Sequence, residues 1–100
     1  MSAYEFSAEL WRWTGDGAAW VFLTVPEDIA DDVEAHLAGP ERGFGAVKVR
    51  VRIGSSTWDT SLFPSREHSS YILPVKAAVR RAQGVDAGDM IGVAIDVIQP

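Results

Sequence analysis

The segment AVKVRVRI, residues 46–53, constrains the fold more than any other part of this chain. Its aliphatic residues alternate with Lys48, Arg50 and Arg52, and a period of two is that of a β-strand with one buried face. Antiparallel sheets commonly bury one face and leave the other in water. The segment therefore predicts a half-buried strand of an antiparallel sheet, with the three cations outside.

Similar patterns, separated by turn residues, predict about six strands and two short helices. The first strand begins at Tyr4 and alternates as far as Leu10. Trp11 and Trp13 then fall on the opposite parity, so either a bulge shifts the register or both faces are covered there. The other predicted strands are residues 18–25, 46–53, 57–63, 71–73 and 91–97, with Pro64 ending the fourth.

The two predicted helices follow prolines. Residues 26–39, PEDIADDVEAHLAG, place Pro26 in the first turn and repeat apolar residues at Ile29, Val33 and Leu37. Residues 75–83 form the second helix, which Pro74 opens and Gly84 closes. One helix follows the second strand and the other precedes the last strand. We expect residues 1–100 to form one mainly β domain, a small closed β-barrel with helices at its ends.

Composition limits the classes of site. The chain has no cysteine, which excludes disulfides, thiolate metal sites and cysteine nucleophiles. The net charge of -5 argues against general nucleic-acid binding. Residues 1–47 hold nine acidic and two basic residues, whereas residues 48–100 hold five acidic and seven basic residues. An anion-binding surface is therefore expected in the second half.

No basic, apolar leader precedes the first strand, and the longest apolar run, AAWVFL, is too short to cross a bilayer. We therefore expect a cytoplasmic protein without membrane association. Four tryptophans in 100 residues suit a small core, and we predict Trp20 in the core and Trp13 or Trp58 exposed.

Several motifs resemble one bacterial family, the domain of unknown function 1905 (DUF1905). They are Phe6, Ala8 and Leu10 of the first strand, Trp20 to Pro26, Trp58, Thr60–Leu62, Ile72–Lys76, Arg80–Arg81 and Gly88–Asp89. The resemblance spans nearly the whole chain. It implies a double-split β-barrel closed within one chain, similar to the fold of transition-state regulators and antitoxins that bind DNA as intertwined dimers. It implies no particular activity.

The leading functional interpretation is a non-enzymatic, monomeric binding module for a small anionic molecule. Lys76 and Arg80 are four residues apart and share one face of the second helix. Trp58 and Tyr71 would supply an aromatic wall, and Arg66 lies just upstream. The candidate ligand-binding residues are Trp58, Ser61, Arg66, His68, Tyr71, Lys76 and Arg80.

Two alternatives remain open. A DNA-binding or antitoxin-like module would use the basic residues Lys48, Arg50, Arg52 and Arg81, although fold analogy alone does not establish function. A small hydrolase would use His68 with Ser61, Ser65, Ser69 or Ser70. Glu67 adjoins His68 and would point elsewhere, which weakens that arrangement. His36 and His68 lack the spacing of a metal site, and we expect no metal and no cofactor.

Overall fold

A computed structural model of the chain describes residues 3–15, 18–36 and 45–98. These residues form seven strands and two helices. The elements are β1 Ala3–Glu9, β2 Trp11–Gly15, β3 Ala18–Thr24, α1 Glu27–His36, β4 Val47–Ile53, β5 Ser56–Ser65, β6 Ser70–Pro74, α2 Ala77–Gln83 and β7 Met90–Val97.

The strands form one antiparallel sheet with the order β1-β7-β4-β5-β6-β3-β2. The sheet curls into a half-barrel. The prediction of a mainly β, barrel-like chain is confirmed, but the prediction of a closed six-strand barrel is wrong. Seven strands occur because the predicted first strand divides between two partners, so the first helix follows the third strand rather than the second.

The division occurs at Leu10. β1 pairs with β7, whereas β2 pairs with β3. Between them, the Leu10 N–H donates to the Asp89 carbonyl at 2.9 Å, and the Leu10 carbonyl accepts from the Gly88 N–H at 2.7 Å. The alternation of buried and exposed residues ends here, because every residue of β2 is half-buried or exposed. Trp11 and Trp13 lie opposite Phe22 and Trp20 of β3 on the outer face, so the change of parity needs neither a bulge nor a second buried face.

The core is formed by the inner face of the sheet. β4 alternates buried and exposed residues along its whole length, as its sequence predicts. Leu10, Leu23, Leu62 and Leu73 are fully buried in this core. Burying a leucine side chain contributes about 1.5–3 kcal/mol. The strands that supply the core therefore also fix which side chains remain outside.

α1 covers the β6 side of the sheet. The Pro26 carbonyl accepts the Ala30 N–H at 2.9 Å, which places Pro26 at the start of the helix. The predicted apolar stripe is confirmed for Val33, which is buried, and for Ile29, which packs against the core. The predicted positions of Leu37 and Gly39 lie outside the described residues.

The proline predictions in the second half are wrong in two places. Pro64 lies inside β5, opposite Tyr71 of β6. The pairing of β5 with β4 ends at Leu62, so only one neighbouring strand remains at this position and the missing N–H is tolerated. Pro74 belongs to β6, and α2 begins only at Ala77.

The start and end of α2 are well defined. Lys76 is its N-cap, with extended backbone angles, φ -69° and ψ 158°. Gly84 ends the helix in the left-handed conformation at φ 67°, as the sequence predicts. Within the residues that the structure describes, no helix has the length and hydrophobicity needed to cross a membrane.

Candidate functional site

An open cleft of about 500 Å³, here called the aromatic cleft because Trp20 and Trp58 line it, lies between β3, the first half of β5 and the segment that leads from β6 into α2. Its walls are mainly apolar, and three charged side chains are among the lining residues. The lining residues are Ala19, Trp20, Val21, Trp58, Asp59, Thr60, Pro74, Val75, Lys76, Ala77 and Arg80.

The cleft results from the way in which β5 changes partners. β5 pairs with β4 from Ser56 to Leu62 and with β6 only from Phe63 to Ser65. Residues 58–60 therefore have no β6 neighbour. Ile72 still pairs with Phe63 of β5, but Leu73 and Pro74 pair only with β3, so a gap opens between the two parts of the sheet.

Trp20 forms one wall of this cleft and is 53% exposed, so its predicted place in the core is wrong. The reason is the parity of β3: Val21 and Leu23 point inward and are buried, which leaves Trp20 on the outer face. Trp58, on another wall, is partly buried against the core. The prediction of an exposed Trp13 is confirmed, with 44% of its surface accessible.

Trp20 also ends a series of four neighbouring rings on the outer face. The ring centroids of Trp20 and Phe22 are 6.4 Å apart, and those of Phe22 and Trp11 are 5.2 Å apart. The centroids of Trp11 and His68 are 4.6 Å apart. The interplanar angles are 23°, 30° and 27°. Near-parallel rings at these separations attract one another, so the series holds the Trp20 side chain in place beside the cleft.

Lys76 and Arg80 both line the cleft, but their surroundings differ. Lys76 is exposed and forms no ion pair with any residue that the structure describes. Arg80 donates from Nε to the Val75 carbonyl at 3.1 Å and from Nη1 to Asp86 at 3.1 Å. Its side chain is only 19% exposed. Arg80 therefore joins the start of α2 to the segment that follows it.

Asp86 is stabilised as a carboxylate. A hydrogen bond from the Ala87 N–H lowers its pKa first, and Arg80 and Arg12 lower it further. Arg12 lies 3.7 Å from the same oxygen. The charge of Arg80 is thus already compensated, and Lys76 is left as the cation that can meet a ligand.

The acid on the cleft wall is compensated as well. Asp59 accepts two hydrogen bonds from Arg50, from Nε at 2.7 Å and from Nη2 at 3.1 Å. The two residues face each other in the register of β4 and β5. This contact lowers the pKa of Asp59 and raises that of Arg50.

The remaining predicted ligand residues are not in this cleft. Arg66 and Tyr71 line a second cleft beside α1. Ser61 faces Lys48 in the strand register and lines neither cleft. His68 lies against Trp11 on the outer face. The structure therefore unites Trp58, Lys76 and Arg80 and separates them from the other four.

His68 has a serine neighbour but no complete catalytic arrangement. Its Nδ1 lies 3.0 Å from Ser65 Oγ, within the connection between β5 and β6. Neither the other ring nitrogen of His68 nor the Glu67 carboxylate forms a hydrogen bond with a described residue. A hydrolytic triad needs an acid that orients the imidazole. The observed contact fits a hydrogen bond that stabilises the connection.

The basic residues of the nucleic-acid alternative lie at two places. Lys48, Arg50 and Arg52 are exposed on β4 as predicted, but Arg50 is paired with Asp59 and lies near Asp96. Arg81 is exposed on α2. In the described part of the chain, no group of three His, Cys, Asp or Glu side chains is suited to a metal ion. The side chain of His36 is outside that part.

Sequence reasoning missed Trp20, Asp59 and Thr60 as residues of the cleft. A signal for Trp20 was present, because Val21, Leu23 and Val25 share the parity that a one-sided core would use. No comparable signal marked Asp59, whose place depends on the partner exchange of β5.

Comparison with known proteins identifies the family. No curated protein matches the sequence. A family model described as a domain of unknown function (DUF1905) matches residues 6–95. The match includes every strand that borders the cleft, and it confirms the resemblance drawn from the motifs. The chain belongs to the DUF1905 family.

Proposed function

We propose that the chain is a non-enzymatic binding module, and that its cleft takes a small, flat molecule with one negative charge. An aromatic carboxylate is the simplest member of this class. The observation that carries the proposal is the meeting of Trp20, Trp58 and the exposed Lys76 on one mainly apolar cleft.

The charges around the cleft support a monoanion. Arg80 is matched by Asp86, and Asp59 is matched by Arg50. Lys76 has no such match among the described residues. A lysine ammonium acts as a single point charge rather than as a bidentate fork. A polyphosphate would bring several negative charges next to the Asp59 carboxylate, and we expect it to bind less well.

The size and the walls of the cleft support a flat apolar body. Ligand sites commonly measure about 300–1,000 Å³ and are lined mainly by apolar and aromatic side chains. The cleft, at about 500 Å³, falls within this range. Contact with an aromatic ring contributes about 0.5–1.5 kcal/mol beyond the area that it buries. Trp20 has accessible surface for such a contact.

Thermal unfolding in the presence of a ligand panel tests the proposal. A ligand that binds only the folded state raises the melting temperature, and the rise grows with the logarithm of the ligand concentration once that concentration exceeds the Kd. We expect 2-naphthoate and benzoate to raise it, and cyclic or linear aliphatic carboxylates and nucleoside triphosphates to raise it less. Lys76→Met and Trp20→Ala should reduce the effect.

Arg81→Met is the matched control, because Arg81 is a cation on the same helix that does not line the cleft. It should retain the full response. A panel without any stabilising aromatic anion, or a response that survives Lys76→Met, contradicts the proposal.

The setting of the module belongs to the same proposal. We propose a double-split barrel that works as a monomer in the bacterial cytoplasm. Light scattering of the purified chain tests the monomer, and a stable dimer at micromolar concentration would refute it.

The two alternative functions have weaker support. The DNA-binding hypothesis loses support because Arg50 is already paired with Asp59. Binding to a DNA duplex that falls steeply with salt concentration would support it. Hydrolysis at His68 rests on the contact with Ser65. Ester hydrolysis that is abolished by both Ser65→Ala and His68→Gln would establish it.

A further inference from the structure

A second, smaller cleft of about 180 Å³ lies between α1 and the β5–β6 hairpin, away from Trp20 and Lys76. All of its lining residues lie within the part of the chain that the family model matches. Its lining residues are Ala30, Asp31, Glu34, Pro64, Ser65, Arg66, Ser69, Ser70 and Tyr71.

Tyr71 supplies a polar group to this cleft that the protein itself does not use. The residue is 8% exposed, and its hydroxyl forms no hydrogen bond with a described residue. No side-chain polar atom in the described part of the chain is both buried and unsatisfied, so the hydroxyl reaches the solvent of the cleft. Burial raises the pKa of the phenol first, and the negative charge of Glu34 raises it further. Tyr71 and Glu34 both line the cleft.

The two walls of the cleft carry opposite charges that do not meet. Asp31 and Glu34 are three residues apart and share one face of α1. Arg66 lies on the facing hairpin and forms no ion pair with either acid. A ligand with one charge would satisfy one wall and face repulsion from the other. A ligand with both charges would satisfy both.

The volume limits the size of such a ligand. At about 180 Å³, it has little more than a third of the volume of the cleft beside Trp20, which measures about 500 Å³. Glycine and alanine are among the smallest molecules that carry both charges.

From these observations we infer that the cleft binds a small zwitterion of the α-amino acid class. Asp31 and Glu34 receive the ammonium, Arg66 receives the carboxylate, and the Tyr71 hydroxyl hydrogen-bonds the ligand between them. This site is independent of the aromatic cleft and of its proposed ligand.

Amide NMR spectra of the full chain, recorded during titration with glycine, test the inference. Methylammonium and acetate, each carrying one of the two charges, serve as matched probes. We expect saturable shifts in residues 30–34 and 65–71 with glycine in the millimolar range. Each half-probe should bind at least about tenfold more weakly, because charge-assisted hydrogen bonds at one end are lost.

Three variants identify the contacts. Tyr71→Phe should weaken glycine binding about fivefold. It should fold normally, because it removes a hydroxyl without a protein partner. Glu34→Gln and Arg66→Gln should each weaken binding about tenfold or more. Lys76→Met should leave it unchanged, which separates this site from the aromatic cleft.

Several results would overturn the inference. The first is that glycine causes no saturable shifts. The second is that acetate or methylammonium alone binds as tightly as glycine. The third is that Glu34→Gln leaves the affinity for glycine unchanged. Normal melting of Tyr71→Phe with unchanged glycine affinity would remove the assigned role of its hydroxyl.

Discussion

Arg80 and Lys76 line the same cleft, but we predict that they contribute to different properties of the protein. Arg80 holds the Val75 carbonyl and Asp86, whereas Lys76 holds neither a backbone group nor an acid through its side chain. Replacing each by methionine retains an unbranched chain and removes the charge. Arg80→Met should therefore reduce stability, and Lys76→Met should reduce ligand binding.

The size of the stability effect follows from the contact with Val75. Val75 is 1% exposed, so its carbonyl loses a hydrogen bond in a place with little access to water. Leaving a buried acceptor without its partner costs about 2 kcal/mol. For a domain of this length, that loss lowers the melting temperature by roughly 8–16 °C. An exposed side chain such as that of Lys76 should change the free energy of unfolding by less than about 0.5 kcal/mol.

Urea unfolding, followed by tryptophan fluorescence, measures both variants on one scale. The slope of the free energy against urea should stay the same, since neither change alters the surface exposed on unfolding. The midpoint should move for Arg80→Met alone. Equal destabilisation by the two variants, or none by Arg80→Met, would refute the assigned difference between them.

Three further predictions concern the fold. Leu10→Ala should cost about 3–5 kcal/mol of unfolding free energy in urea melts, because Leu10 is fully buried. Met90→Ala, at a residue that is 66% exposed, should be nearly neutral. Similar losses of unfolding free energy in the two variants would contradict this. Asp59→Asn should make stability less sensitive to acid. The hydrogen bond from Arg50 lowers the pKa of the Asp59 carboxyl below its usual range, so the stability that this contact contributes is present above that range and is lost as the pH falls through the lowered pKa. Parallel wild-type and variant curves of stability against pH between about 5 and 2 would exclude this. Gly54→Ala should cost at least about 1–2 kcal/mol by calorimetry, because Gly54 has φ +58° and an added Cβ would also displace the Gln83 side chain. An unchanged melting temperature would contradict this.

The sequence predicts the strands best where one face is buried and the other is charged. β4 follows its alternation residue by residue, since each cation must avoid the core. β3 is harder to interpret because the run AAWVFL is apolar at every position. Only Thr24, between Leu23 and Val25, indicates which parity faces inward, and the prediction that places Trp20 in the core does not follow that signal and is wrong.

Partner exchange between strands was not predictable from local patterns. The separation of β1 and β2 at Leu10 depends on β7 and β3, which are distant in sequence. The continuation of β5 through Pro64 depends on the end of its pairing with β4. The same exchange creates the aromatic cleft, so sequence spacing indicated Trp58, Lys76 and Arg80 but not their neighbours Asp59 and Thr60.

The indole N–H signals of the four tryptophans provide the most direct test of the aromatic cleft. In a titration with 2-naphthoate, the signals of Trp20 and Trp58 should shift and saturate, since both residues line the cleft. The signal of Trp11 should stay in place, because its Nε1–H donates to Thr24 Oγ1 at 2.9 Å and the residue lies outside the cleft. Lys76→Met should weaken the shifts. Signals of Trp20 and Trp58 that stay fixed while the ligand saturates the protein elsewhere, or that never move, would contradict the account.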